Sequence, residues 1–191
     1  MVPADRSGEE IRIVLPEYGL IDALLGYLLF YLVVRATTPI LARELSVIIE
    51  GFDASAIRFA AATLLWFILF LTVVEQVRVQ LDANPRQFGT REGARTVLTE
   101  EVNPRLTTLD GGGVLLAGIL VWIGYPMFVE QLQDLLATFI WVMEDRQPPP
   151  ISAAGVATVV GYGLLYSIFT WFADRVVIGT FRLAIARQFS G

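Results

Sequence analysis

Residues 111–129 read GGGVLLAGILVWIGYPMFV, and none of these side chains carries a charge. The hydrocarbon core of a bilayer is about 30 Å thick, and an α-helix needs about 20 mainly apolar residues to cross it. A helix pairs its own backbone N–H and C=O groups, which lipid cannot do for it. This stretch therefore predicts a transmembrane helix.

Three other segments have a similar length and apolar character. They are residues 18–42, 54–74 and 151–173. The last of them follows three prolines at 148–150, which suits a helix start because the first N–H groups have no partner within the helix. Together the segments predict an all-α integral membrane protein with about four transmembrane helices, in which residues 1–191 form a single membrane domain.

Composition excludes several kinds of chemistry. The chain has no cysteine and no histidine, and all 14 basic residues are arginine. Disulfides, Cys/His zinc sites, haem ligation by His or Cys, histidine-assisted nucleophiles and Schiff-base lysines are therefore impossible. No nucleophile elbow and no phosphate-binding glycine loop is present either. We expect no catalytic residue, no metal site, no cofactor and no enzymatic activity.

The charge balance is acidic, with a formal net charge of −5. An acid excess without lysine favours a source adapted to high salt, such as a halophilic archaeon, because acidic surfaces stay soluble there. The alternative is a GC-rich genome that prefers arginine codons. No segment carries a dense basic patch, so nucleic-acid binding is not expected.

Two stretches that follow prolines are amphipathic. After Pro39 and after Pro126, apolar side chains recur at helical spacing and polar side chains occupy the opposite face. This pattern is typical of a helix that lies in the membrane interface. The alternative is a continuous transmembrane helix that is kinked at the proline.

The two halves of the chain follow a common pattern. An apolar triplet stands five residues before Pro39 in the first half and five residues before Pro126 in the second. Each half then reads as a span, a proline, an amphipathic helix and a second span. This pattern is compatible with a two-fold internal repeat with parallel halves. The alternative is chance similarity, because apolar segments align easily.

The distribution of arginine predicts the orientation, because positively charged loops stay on the cytoplasmic side. Ten of the fourteen arginines lie in the N-terminal segment, the loop 76–110 and the tail 174–191. These three regions are therefore expected in the cytoplasm, which makes the chain a multi-pass protein of the cell membrane. The tail is predicted to be a basic amphipathic helix on the inner leaflet or a continuation of the last span.

Charged residues in or near the spans are the candidate functional residues, because a charge in hydrocarbon is costly. They are Asp22, Arg35, Arg58 and Glu75. Asp22 fits an ion or proton site or an aspartate near the headgroups. Arg35 and Arg58 fit a ring that selects anions or side chains that extend to the surface, and Glu75 fits a boundary residue.

Small residues at helical spacing predict faces on which helices pack closely. They are Gly19, Ala23 and Gly26 in the first span, Gly113 and Ala117 in the third, and Ala153, Ala157 and Gly161 in the fourth. Pro39 and Pro126 are candidate hinges. The pattern does not distinguish packing within a chain from packing between chains.

Two functions remain compatible with these features. The first is a homo-oligomeric channel or transport protein for ions or small solutes, since four helices rarely enclose a pore alone. The second is a scaffold or accessory subunit of a larger membrane complex. The expected partners are the lipid bilayer and either further copies of the chain or another membrane subunit.

Overall fold

The computed structural model describes residues 12–13, 17–48, 54–82, 86–87, 104–143 and 151–188. Four long helices account for nearly all of these residues: α1 Leu20–Ile48, α2 Ala54–Asp82, α3 Pro104–Met143 and α4 Ala153–Gln188. Two short strands, β1 Arg12–Ile13 and β2 Arg86–Gln87, form an antiparallel pair.

Each helix contains a segment that is long and apolar enough to cross a membrane. These segments are Leu20–Arg43, Ala54–Val79, Leu109–Val142 and Ala153–Ile185. The prediction of an all-α integral membrane protein with four spanning helices is confirmed. The last two segments have 34 and 33 residues. At 1.5 Å per residue each measures about 50 Å, so α3 and α4 must tilt or extend beyond about 30 Å of hydrocarbon.

Contacts fix the directions in which the helices run. At the start of α1, Gly19 contacts Asp174 in the distal part of α4. Further along α1, Leu25 contacts Tyr166, which lies earlier in α4. Positions that increase along α1 thus meet positions that decrease along α4. The two helices are antiparallel.

Helix α3 packs along α4 in the same antiparallel sense. Three glycines of α3 face three aromatic rings of α4 in reverse order: Gly113 faces Phe172, Gly118 faces Phe169 and Gly124 faces Tyr162. A side chain at Gly113 would stand 2.8 Å from the Phe172 ring. The missing side chains therefore allow the aromatic rings of α4 to lie against the backbone of α3.

The helix directions define two ends of the bundle. The antiparallel contacts with α4 place the starts of α1 and α3 beside the end of α4. The end of α2 lies there too, because Leu20 and Leu24 of α1 border one pocket with Val77 and Leu81 of α2. We name this the loop end, since the connection over residues 83–103 joins α2 to α3 there. The opposite end, where α1 leads into α2 and α3 into α4, is the hairpin end.

The two prolines lie inside continuous helices. Helix α1 continues through Pro39 to Ile48, and α3 continues through Pro126 to Met143. Of the two alternatives for the stretches after these prolines, the structure has the continuation and not a separate interfacial helix. Helix α4 also extends past residue 173 to Gln188. The helices are longer than the predicted spans because helical periodicity persists after the apolar run ends.

Polar contacts surround Pro39, which has no N–H to donate within the helix. The Gln133 side-chain amide of α3 donates a hydrogen bond to the Ala36 carbonyl at 3.0 Å. The Thr37 and Thr38 hydroxyls donate to carbonyls one turn earlier, at 2.9 and 2.6 Å. Such hydrogen bonds satisfy polar groups within lipid and tend to bend a helix.

The core of the bundle is an aromatic cluster between α3 and α4. Phe128, Tyr162 and Tyr166 are its fully buried members. The Phe128 and Tyr162 rings stack with centroids 4.3 Å apart and planes 16° apart. Leucine and valine side chains of α1 complete the cluster from the third side.

Helix α2 is peripheral. Among the described elements it packs on α1 alone. Much of its remaining surface consists of exposed large apolar side chains, such as Phe59, Trp66 and Phe70. This surface faces lipid or another membrane protein.

Candidate functional site

The Asp174 carboxylate of α4 caps the start of α1. It accepts hydrogen bonds from the Gly19 N–H at 2.7 Å and from the Ile21 N–H at 3.0 Å. The Gly19 carbonyl accepts the first bond of the helix from Ala23, so Gly19 is the N-cap residue, and its φ is +104°. Glycine tolerates this conformation but has no capping side chain. The Asp174 carboxylate supplies the missing capping group from another helix. Asp174 is buried, with only 4% of its surface exposed.

Two further contacts hold α1 against α4. The Tyr166 hydroxyl donates a hydrogen bond to the Leu25 carbonyl at 2.7 Å. The Arg182 guanidinium lies over the Tyr18 ring, 4.4 Å from its centroid, which is a favourable cation–π distance. The start of α1 is therefore attached to α4 at three successive levels.

A polar pocket of about 500 Å³ lies beside this cap, and we name it the loop-end pocket. Asp22 projects into it from α1, one turn beyond the cap, and is exposed. Trp171 and Arg175 border it from α4. The Arg175 guanidinium lies 4.7 Å from the Trp171 ring centroid and 3.4 Å from the carboxylate of Asp110 in α3. Asp22 thus presents an accessible carboxylate beside an arginine whose charge Asp110 partly compensates.

A second pocket, of about 490 Å³, lies towards the hairpin end between α1 and α3, and its mainly apolar lining includes a few charged side chains. We name it the hairpin-end pocket. It brings together the two candidate hinges, Pro39 and Pro126, and the candidate charge Arg35. Glu130 and Gln133 of α3 also border it. Residues that are about 90 positions apart in the sequence thus share one cavity with charges of both signs.

A third cavity separates these two pockets along the axis of α1. It is an open groove of about 410 Å³ between α1 and α3, with α4 as its floor. Leu25, Leu28 and Leu32 form its α1 wall, at levels between Asp22 and Arg35. Its lining is almost entirely apolar or aromatic, and we name it the central groove.

The four candidate charges are not brought to one place. Asp22 borders the loop-end pocket and Arg35 borders the hairpin-end pocket. Arg58 and Glu75, both on α2, are exposed and border none of these three cavities. Within the described ranges, no group of three or more carboxylates comes close enough to hold a metal ion.

The predicted small-residue faces have different surroundings. On α3, Gly113 contacts Phe172 and Ala117 is buried. Gly19 forms the helix cap, Ala23 is half-buried and Gly26 is exposed with no atom nearby. On α4, the face with Ala153, Ala157 and Gly161 is exposed. Among the residues that the structure describes, no helix packs against that last face.

The sequence did not single out Asp174, Tyr166 or Gln133, which make the polar contacts between helices. Asp174 directly follows an uncharged segment and stands at the first position of the predicted tail. Tyr166 and Gln133 bind backbone carbonyls, which every residue offers, so no sequence pattern reveals their partners.

No protein-family model, no curated protein and no solved structure matches this chain. The fold and the lengths of its helices define the class: it is a multi-pass, all-α integral membrane protein. The loop-end pocket, the hairpin-end pocket and the central groove are its candidate functional sites.

Proposed function

We propose that this chain is a non-enzymatic transport protein of the cell membrane, which moves ions or small solutes as a homo-oligomer. The observation that carries the proposal is the hairpin-end pocket, where Arg35, Pro39 and Pro126 meet. Charges within spanning segments are costly and commonly mark a solute or ion path. A proline in such a helix removes a backbone hydrogen bond and provides a point of bending.

The loop-end pocket supports the same proposal from the opposite end of the bundle. Its accessible carboxylate, Asp22, is opposite in charge to Arg35 of the hairpin-end pocket. The central groove, whose lining is almost entirely apolar, lies between the two pockets along α1. An apolar stretch of a solute path is a known form of gate.

The open shape of these pockets supports the proposed oligomer. Each is a recess on the side of the bundle and is not enclosed by the four helices. A neighbouring copy of the chain would supply the missing wall. The unpartnered apolar surface of α2 offers area for such a contact.

The proposal is tested by ion flux into proteoliposomes in high-salt buffer, which suits an acidic protein without lysine. The wild type is expected to conduct. Arg35→Gln should shift selectivity towards cations because a positive charge leaves the hairpin-end pocket, and Asp22→Asn should shift it towards anions. Arg58→Gln is the matched control, since Arg58 is exposed on α2 outside both pockets. Absence of flux from the wild type would contradict the proposal.

A second candidate function is an accessory subunit of a larger membrane complex. The observation that favours it is α2, which packs on α1 alone among the described elements and exposes Phe59, Trp66 and Phe70. In that case the apolar surface of α2 would bind a different membrane protein. Purification from native membranes would then yield a stable complex with another chain, and the isolated protein would not conduct.

A further inference from the structure

Tyr162 is a buried tyrosine of the aromatic cluster. Only 6% of the surface of Tyr162 is exposed, and its ring stacks on Phe128. Across the described residues, no hydrogen bond involves this hydroxyl. Tyr166, one turn further along α4 and equally buried, donates to the Leu25 carbonyl at 2.7 Å. A buried polar group without a hydrogen bond costs about 1–3 kcal/mol, so such a group calls for an explanation.

The cavity that Tyr162 borders suggests the explanation. Tyr162 contributes to the floor of the central groove, whose volume is about 410 Å³. Binding sites for small molecules typically measure about 300–1,000 Å³ and combine apolar walls with a few polar groups. The groove lies within the spanning segments of α1, α3 and α4 and opens on the side of the bundle. A ligand would therefore enter from the bilayer.

The walls of the groove restrict the chemistry of its ligand. Leu28 and Leu32 form an aliphatic wall on α1, and Trp122, Tyr125 and Phe169 provide aromatic rings. Such a lining excludes a charged group and favours a flat conjugated ring, since aromatic rings pack well against each other. The Tyr162 hydroxyl can donate one hydrogen bond to a carbonyl oxygen.

We infer that the central groove binds a lipid-soluble carbonyl compound of the quinone type. The carbonyl oxygen accepts the hydrogen bond from Tyr162, the ring packs between Trp122 and the leucines of α1, and the apolar tail extends into lipid. This binding site does not depend on the proposed transport function. A protein that conducts nothing could still bind the ligand.

The test measures binding through the fluorescence of Trp122, whose side chain is 82% exposed at the groove. Trp66, Trp141 and Trp171 are replaced by Phe, which leaves Trp122 as the only reporter; all three are exposed. The full chain in lipid nanodiscs is titrated with decylubiquinone. Saturable quenching is expected. Tyr162→Phe should raise the dissociation constant about five- to tenfold because one hydrogen bond is lost.

Two further variants separate specific binding from partition into lipid. Tyr31→Phe makes the same chemical change on a tyrosine that does not border the groove, and it should leave binding unchanged. Leu28→Phe narrows the groove at a side chain that is already 44% exposed and should weaken binding. Quenching that rises linearly and equally in all variants would overturn the inference.

A last arm distinguishes the quinone from an ordinary lipid. Nanodiscs are prepared with phospholipids whose acyl chains are brominated, and bromine quenches nearby tryptophan. The ratio of Trp122 fluorescence in brominated nanodiscs to that in ordinary nanodiscs separates quenching by bromine from quenching by the quinone itself. If this ratio rises as decylubiquinone saturates and Tyr162→Phe weakens the rise, the inference holds. If decylubiquinone leaves the ratio unchanged, the quinone does not displace lipid from the groove and the inference is wrong.

Discussion

At the scale of single residues, the polar side chains in this protein mainly complete the hydrogen bonding of other helices. Asp174 caps α1, Tyr166 binds a carbonyl of α1, and Gln133 binds a carbonyl near Pro39. In lipid no water can replace these partners, so each unsatisfied group is costly. Measured hydrogen bonds between membrane helices nevertheless average about 0.6 kcal/mol, because the unfolded helices find other partners.

Asp174→Ala is expected to destabilise the protein by about 1–3 kcal/mol, because it leaves two N–H groups at the start of α1 without an acceptor. The measurement is the thermal unfolding midpoint in detergent micelles. Asp82→Ala serves as the control, since Asp82 forms an exposed pair with Arg78 at 3.7 Å and such pairs contribute little. Equal midpoints for the two variants would contradict the capping role.

At the scale of helices, the contact between α3 and α4 depends on the absence of side chains. The three glycines of α3 that face aromatic rings are spaced so that the rings of α4 lie along one face. Small residues at a helix interface let backbones approach closely, and in lipid this packing provides much of the association energy. The pair α3–α4 is therefore the stable part of the bundle.

Gly113→Ala is expected to destabilise the α3–α4 contact by about 1–3 kcal/mol, the usual range for overpacking. The new methyl group would lie 2.8 Å from the Phe172 ring. Gly112→Ala is the matched control, because no atom lies within 4 Å of that position. It should be neutral or stabilising by up to about 1 kcal/mol, the helix-propensity gain. Reversible unfolding in mixed micelles compares the two, and an equal response would contradict this packing.

Gly161→Leu should be tolerated by the isolated chain. Gly161 is exposed on α4 and no atom lies within 4 Å of a side chain placed there. The unfolding midpoint of the monomeric form should match that of the wild type. A clear loss of stability in monomers would show that this face of α4 packs within the chain, against the structure.

The sequence predicts the helices better than it predicts their contacts. Four apolar runs of sufficient length specify four spanning helices, because the bilayer imposes both length and hydrogen bonding. The ends of α3 and α4 lie beyond those runs, where hydropathy falls but helical spacing continues. The cap on α1 joins positions 155 residues apart, and its acceptor binds a backbone N–H. Since every residue other than proline has that group, no sequence pattern reveals such a pair.

At the scale of the whole molecule, the start of α1, the end of α4 and the ends of α2 and α3 that the 83–103 segment connects lie at the loop end. The excess of arginine in the segments that continue from these helix ends supports a cytoplasmic location for that end. The hairpin-end pocket would then face the outside and the loop-end pocket the cytoplasm. This arrangement gives the proposed transport path its two openings.

Substituted cysteines in intact cells test this orientation, and the chain has no native cysteine to interfere. A cysteine at Ser152, which is exposed at the hairpin end, should react with an impermeant thiol reagent. Cysteines at Thr96 and Ser190 should react only after the membrane is permeabilised. The reverse pattern would place the loop end outside.

The structure of the assembled particle in lipid nanodiscs tests most directly whether copies of this chain together form a transport path. A symmetric ring of several copies is expected, in which the loop-end and hairpin-end pockets line a hydrated path between subunits. A lone subunit, or a ring whose centre is filled with lipid, would contradict it.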